Sequence, residues 1–172
     1  MAMSFYKFLS LVLIWAVAYT TGTVWAELSV FIDADSYDFG AFEAPSSEVS
    51  TSTIRVINDS FDTPATWSLR ASTITAGSLW KLVNGPMVDS DDFRLSAAFH
   101  DVQPSSSSFS ADDRLILTDQ TSSSTAFSID GSSTGVAVPV GASRNIWFLM
   151  ETPLSSGTTE QQLIQITVTA GP

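Results

Sequence analysis

After residue 26, apolar and polar side chains alternate with a period of two along most of the chain. "ELSVFIDA" places Leu28, Val30, Ile32 and Ala34 on one side and Ser29, Phe31 and Asp33 on the other. This is the spacing of a half-buried β-strand, whose successive side chains point to opposite faces. "STSTIRVIN" and "ATWSLRAS" repeat it, the second with Trp67, Leu69 and Ala71 on one face. "LWKLV", "FRLSAAF", "RLILT", "TAFSI", "NIWFLM" and "QQLIQITVTA" complete eight or nine short strands. Loop clusters such as "APSSE", "NDSFDTP", "NGPMVDSDD" and "HDVQPSSSSFSADD" separate them. No sustained 3.6-residue apolar period interrupts the series. The pattern predicts an all-β fold, an antiparallel β-sandwich.

Residues 1–26 have a different character. Lys7 precedes an apolar run, Phe8 to Ala18, and Tyr19 to Thr23 lead to Val24-Trp25-Ala26. A charged start, an apolar middle and small residues at the end are the parts of a secretory signal peptide. The run is shorter than the roughly 20 apolar residues of a transmembrane helix. Cleavage after Ala26 is expected, giving a mature start at Glu27 and one domain over 27–172, with no membrane attachment afterwards. The intact mass of secreted protein checks this, and a retained Met1–Ala26 segment overturns it. The expected location is extracellular or on the cell surface.

Charge narrows the partners. The chain carries −11, and loss of Lys7 with the signal makes the mature domain −12, with Lys81 and five arginines as its cations. A nucleic-acid-binding face neutralises phosphates with Lys and Arg, so nucleic acid is not an expected partner. Anionic lipid is disfavoured for the same reason. There is no cysteine, which excludes thiol chemistry and Cys-ligated zinc.

Several motifs invite a chemical reading. "FIDADSYDFG" opens like a calcium loop, but Tyr37 and Asp38 fall where an EF-hand needs an acidic or amide ligand and then Gly. Asp38-Phe39-Gly40 lacks the rest of a kinase signature. The stretch reads instead as a strand ending near Asp35, followed by a bend at Gly40. "GSSTG", residues 131–135, matches a nucleophile elbow centred on Ser133, yet a β-like run follows where the elbow needs a helix. The sole histidine, His100, beside Asp101, reads as a strand-end residue. The loop acids, including Asp112-Asp113, read as a solvated rim, and no enzyme activity is expected. Asp89, Asp91 and Asp92 are the candidate ligands for a calcium ion; no other cofactor is expected.

Three tryptophans of the mature chain are each followed two places later by leucine: Trp67-Leu69, Trp80-Leu82 and Trp147-Leu149. In a strand each pair shares a face. Trp67 and Trp147 are expected on inward faces of the core. Trp80, on a short run between Gly77 and Gly85, and Phe31 are the candidate binding aromatics.

"YDFGAF", "VINDS…TPATWSLRAS", Trp147 to Leu149 and the ending "ITVTAGP" together resemble the WxL-type cell-surface domains of bacteria. That resemblance spans most of the mature chain. It implies a secreted β-strand domain that attaches non-covalently to cell-wall peptidoglycan. Ig-like or pilin-like secreted sandwiches are similar to the same pattern. The expected function is a secreted, non-catalytic structural or adhesive surface protein acting by self-association or partner contact. The alternative is a glycan- or peptidoglycan-binding module using exposed aromatics. The expected partners are a second copy of the chain, paired through a terminal strand, or cell-wall glycan.

Overall fold

The computed structural model describes residues 28–34, 36–41, 44–74 and 79–172. The expected signal peptide and its cleavage site lie outside the described residues. Nine strands follow one another: β1 (Val30–Ile32), β2 (Ser47–Val49), β3 (Ile54–Asn58), β4 (Thr66–Thr73), β5 (Lys81–Leu82), β6 (Asp92–Phe99), β7 (Gln120–Thr121), β8 (Ser143–Glu151) and β9 (Ile164–Gly171). Two 3-10 turns, Ser106–Ser108 and Ala111–Asp113, are the only helical elements among the described residues. None of these is long and apolar enough to cross a membrane. The fold is all-β, as the period-two pattern predicts.

The strands form two sheets. One has six strands in the order β1-β3-β8-β6-β5, with β2 also on β8, and curls into a half-barrel. The other has three, β7-β4-β9. β2 and β3 lie end to end along one side of β8, opposite Leu149–Glu151 and Ser143–Ile146 respectively. One apolar cluster joins the sheets: Trp67, Leu69 and Ala71 from β4 meet Phe93, Leu95, Ala97 and Phe99 from β6 and Ile146, Phe148 and Met150 from β8. These are every second residue of their strands, which is why alternation locates them.

Three expectations need correction. β5 pairs with β6 in parallel, Lys81 opposite Asp92, so the sheet is not wholly antiparallel. β2 arises in "SEV", which reads as loop because it has one apolar residue in three. "RLILT" and "TAFSI" are not strands. The Leu115 N–H donates to the Leu95 carbonyl of the six-stranded sheet, while the next carbonyl, Ile116, accepts from Ala71 of the three-stranded sheet. Likewise the Phe127 carbonyl serves Phe99 of one sheet and the Gly135 carbonyl serves Trp67 of the other. The first segment crosses between the sheets within two residues and so cannot continue either ladder, while the chain from the second reaches the other sheet at Gly135.

The bend after the first strand is as expected. Gly40 has φ +82°, a conformation that glycine adopts without steric cost, and its N–H donates to the Asp38 carboxylate at 2.8 Å. Asp33 is engaged as well: it accepts from the Arg55 N–H at 2.8 Å and pairs with the Arg55 guanidinium at 3.2 Å.

Candidate functional site

The outer face of the six-stranded sheet holds a polar groove. Alternation turns Ser96 and Ala98 of β6, and Trp147, Leu149 and Glu151 of β8, away from the core. Ala98 sits opposite Trp147, Ser96 opposite Leu149 and Arg94 opposite Glu151. Trp147 is 8% exposed and Ser96 2%, although neither belongs to the central cluster. The serine-rich segment after β6 covers them. The Trp147 Nε1–H donates to the His100 carbonyl at 2.9 Å, and the Gln103 amide donates to the Ser50 carbonyl at 2.9 Å. Trp147 is therefore buried, as expected, but on the face opposite the expected one.

Between this cover and the sheet runs a groove of about 210 Å³. Ser96, Leu149 and Glu151 form its floor, Ser47 of β2 one wall, and Ser106, Ser107, Phe109, Ser110 and Arg114 the other. Five hydroxyls, each both donor and acceptor, face one ring, one carboxylate and one guanidinium. Arg94 bonds Glu151 through Nη2, and Arg114 Nη1 holds the Asn84 carbonyl at 2.8 Å. Such a lining suits a hydroxyl-rich neutral ligand more than a strongly charged one, because the carboxylate is already paired with Arg94 and the guanidinium already donates to the Asn84 carbonyl. By its composition "QPSSSSFSADD" reads as a plain loop. The signal within it was the density of hydroxyls, with Phe109 as the one ring among them.

Asp113 anchors the far wall. Fully buried, it accepts from the Ser110 N–H at 2.7 Å, the Ser110 hydroxyl at 2.9 Å and the Ser128 N–H at 3.1 Å. Burial pushes its carboxyl above the ordinary value, and the bonds from Ser110, Ser128 and Phe127 pull it part of the way back.

The candidate aromatics do not meet. Phe31 is 51% exposed on β1, and Trp80 precedes β5, at the other end of the strand order. Trp80 is half-buried: its ring lies 5.4 Å from that of Phe93, and Nε1 donates to the Ser156 hydroxyl at 3.0 Å. It packs at the margin of the core.

The calcium candidates fasten loops. Asp92 accepts from the Val88 and Asp89 N–H groups at 3.2 and 3.0 Å. Asp91 points elsewhere, to the Gly157 N–H at 2.8 Å and the Ser156 hydroxyl at 3.0 Å. Among the described residues no three His, Asp or Glu side chains gather as a metal site would require. Replacing Asp91 with Ala is expected to cost about 1–3 kcal/mol through two lost bonds to a charged acceptor. Thermal unfolding with and without calcium checks this. A calcium-dependent rise in the wild-type midpoint that Asp91→Ala abolishes would restore the metal reading.

The fold does bring the elbow-like serine and the histidine near one another. Ser133 donates to Asp101 at 3.2 Å, while His100 Nε2 lies 3.5 Å from Asp130 and Nδ1 is 2.7 Å from the Val102 carbonyl. The serine hydroxyl is directed at a carboxylate and both imidazole nitrogens have other partners, so no nucleophile–base pair is assembled. The side-chain and backbone bonds from Ser132, with a smaller effect of His100, hold the Asp130 carboxyl below its ordinary value.

Comparison of the chain with protein-family models, with curated proteins and with solved structures finds no match.

Proposed function

We propose that this chain is a secreted, non-catalytic surface protein with a pilin-like β-sandwich, working as a structural or adhesive element through contact. The observation that carries this reading is the contrast between side chains and backbone. The candidate catalytic and metal-binding side chains are committed to loops. By contrast, an eight-residue strand, β9, is hydrogen-bonded to just one strand, β4, among the described residues. An open strand edge is a ready means of attaching to another chain. The resemblance to WxL-type domains supplies the bacterial cell wall as the surface involved. Protease treatment of intact producing cells, with immunogold detection, tests the reading. The protein should be outside and removable, and cells lacking it should lose cohesion. Recovery inside the cell, or unchanged cohesion, overturns it.

The serine-lined groove favours a second reading, binding of a cell-wall saccharide. Hydroxyls, one ring and a guanidinium are the groups that orient a sugar. Titration with wall glycan fragments should shift the amide resonances of Ser96, Ser107 and Phe109. Arg114→Ala should weaken binding by roughly tenfold, the scale of one hydrogen bond from a charged donor. Shifts confined to other surfaces would remove the groove from consideration.

A further inference from the structure

The direction of the backbone groups along β9 can be read from its pairing with β4. The Ile74 N–H donates to the Leu163 carbonyl at 3.0 Å, which makes 74 and 163 a hydrogen-bonded pair. Hydrogen-bonded and non-hydrogen-bonded pairs alternate along an antiparallel ladder. Ser72–Gln165, Arg70–Thr167, Ser68–Thr169 and Thr66–Gly171 are therefore the bonded pairs of this register. The other edge of β4 agrees: Trp67 and Ala71 donate away from β9, to Gly135 and Ile116. The N–H and C=O groups of Ile164, Ile166, Val168 and Ala170 consequently point out of the sheet edge, and no strand among the described residues pairs with them.

We propose that this edge joins a second copy of the same chain, β9 against β9, antiparallel about a two-fold axis at Thr167. The proposal rests on the contact reading above and names the partner. Four outward-pointing residues at even spacing are self-complementary about their midpoint. Ile164 then pairs with Ala170 of the second copy, and Ile166 with Val168, so all eight free backbone groups are bonded. The intervening pairs are Gln165 with Thr169 and Thr167 with itself, which are polar matches on the outer face. Charge also selects this edge. In a mature chain of −12, like copies repel, yet Gln161 to Pro172 carries no charged side chain. The three-stranded sheet would become a continuous six-stranded one.

The chain has no cysteine, so a single introduced one reports the register. Residues in a non-hydrogen-bonded pair have Cα atoms about 4.5 Å apart, within disulfide range. In protein purified from expression of the full chain, Thr167→Cys should oxidise to a linked dimer several-fold faster than Gln165→Cys or Thr169→Cys. Two double variants test the same register by charge. Gln165→Lys with Thr169→Lys sets like charges opposite each other twice and should weaken association by roughly tenfold. Gln165→Lys with Thr169→Glu sets opposite charges there and should preserve it. Sedimentation equilibrium reads both, with circular dichroism confirming the fold. A wild-type protein monomeric at all concentrations, equal cross-linking at the three positions, or equal behaviour of the two doubles overturns the dimer. Any of these leaves cell-surface exposure and cohesion intact as readouts of the proposed function.

Discussion

Trp67→Ala is expected to destabilise the protein by about 3–5 kcal/mol, a large share of the 5–15 kcal/mol available to an ordinary domain. Trp67 is fully buried, with its ring 5.4 Å from that of Phe99. Its backbone is fixed on both sides, the N–H to the Gly135 carbonyl at 2.7 Å and the carbonyl to the Ser122 N–H at 2.9 Å. The surroundings are already closely packed: a Cβ on Gly135 would lie 2.8 Å from Phe99 Cε2 and 2.6 Å from the Ser122 hydroxyl. Neighbours held this way cannot collapse into the space left by the indole, which places the cost toward the upper end of the range. Trp67→Phe should cost less, about 1–2 kcal/mol. It leaves a smaller void and also removes the indole N–H, which is buried without a partner. Trp147→Ala should differ in kind. Trp147 lies under a surface segment that can settle toward it, and its Nε1 bond to the His100 carbonyl is one of the ties holding that segment. A loss of about 2–3 kcal/mol is expected, with faster amide exchange over 100–110. Urea denaturation with hydrogen exchange separates the two. Equal costs with unchanged exchange at 100–110 would place both tryptophans in one core.

That difference shows how much of the fold was legible in the sequence. Alternation put Trp67 on one face with Leu69 and Ala71, and that face is the buried one, because the strand period is fixed by backbone geometry. With Trp147 expected inward, the same alternation put Ile146 and Phe148 outward, and the structure reverses this. It also placed Trp147 and Leu149 on a common face. What it cannot supply is which face looks inward when both are covered. Covering depends on where "VQPSSSSF" lies, and that is decided by bonds 47 to 53 residues distant in sequence. The failure of "RLILT" and "TAFSI" as strands has the same origin. Their local pattern is strand-like, but their backbone groups bond partners far off in sequence: Leu115 and Ile116 serve different sheets, and Phe127 serves Phe99, a long-range outcome that no window of five residues contains. The groove was hidden for a similar reason, since its serines come from β2, β6 and the segment over them. The acidic residues are visible in the sequence, but the directions of their carboxylates are not. A short acidic loop and a set of carboxylates accepting backbone N–H groups have the same composition. Only the directions of Asp91 and Asp92 distinguish them.

Asp113 carries the second large effect, and its pH dependence has a definite sign. Its carboxylate closes a capping box on the turn Ala111–Asp113 and reaches across to the Ser128 N–H, joining the wall of the groove to the segment that crosses between the sheets. Asp113→Ala leaves the N–H groups of Ser110 and Ser128 without their acceptor, and a loss of about 2–4 kcal/mol is expected near neutral pH. Asp113→Asn should lose part of that, since its one carbonyl oxygen cannot serve both sides and its amide N–H₂ meets a donor on the other. In the wild type, burial raises the carboxyl above the unfolded value of about 3.9, so the folded state holds this proton more tightly than the unfolded chain. Stability from this group is therefore fully present below the unfolded value and declines as pH rises to the raised native one. Beyond that it stays constant, with the desolvation cost of the anion retained. Neither variant can titrate at this position. The gap in unfolding free energy between wild type and Asp113→Ala should accordingly be widest below the unfolded value of about 3.9 and narrow as pH rises through the raised native value. Denaturant titrations of both proteins at several pH values measure it directly. A gap that widens with rising pH would mean that the three hydrogen bonds outweigh burial, and that Asp113 stabilises the fold most strongly as an anion.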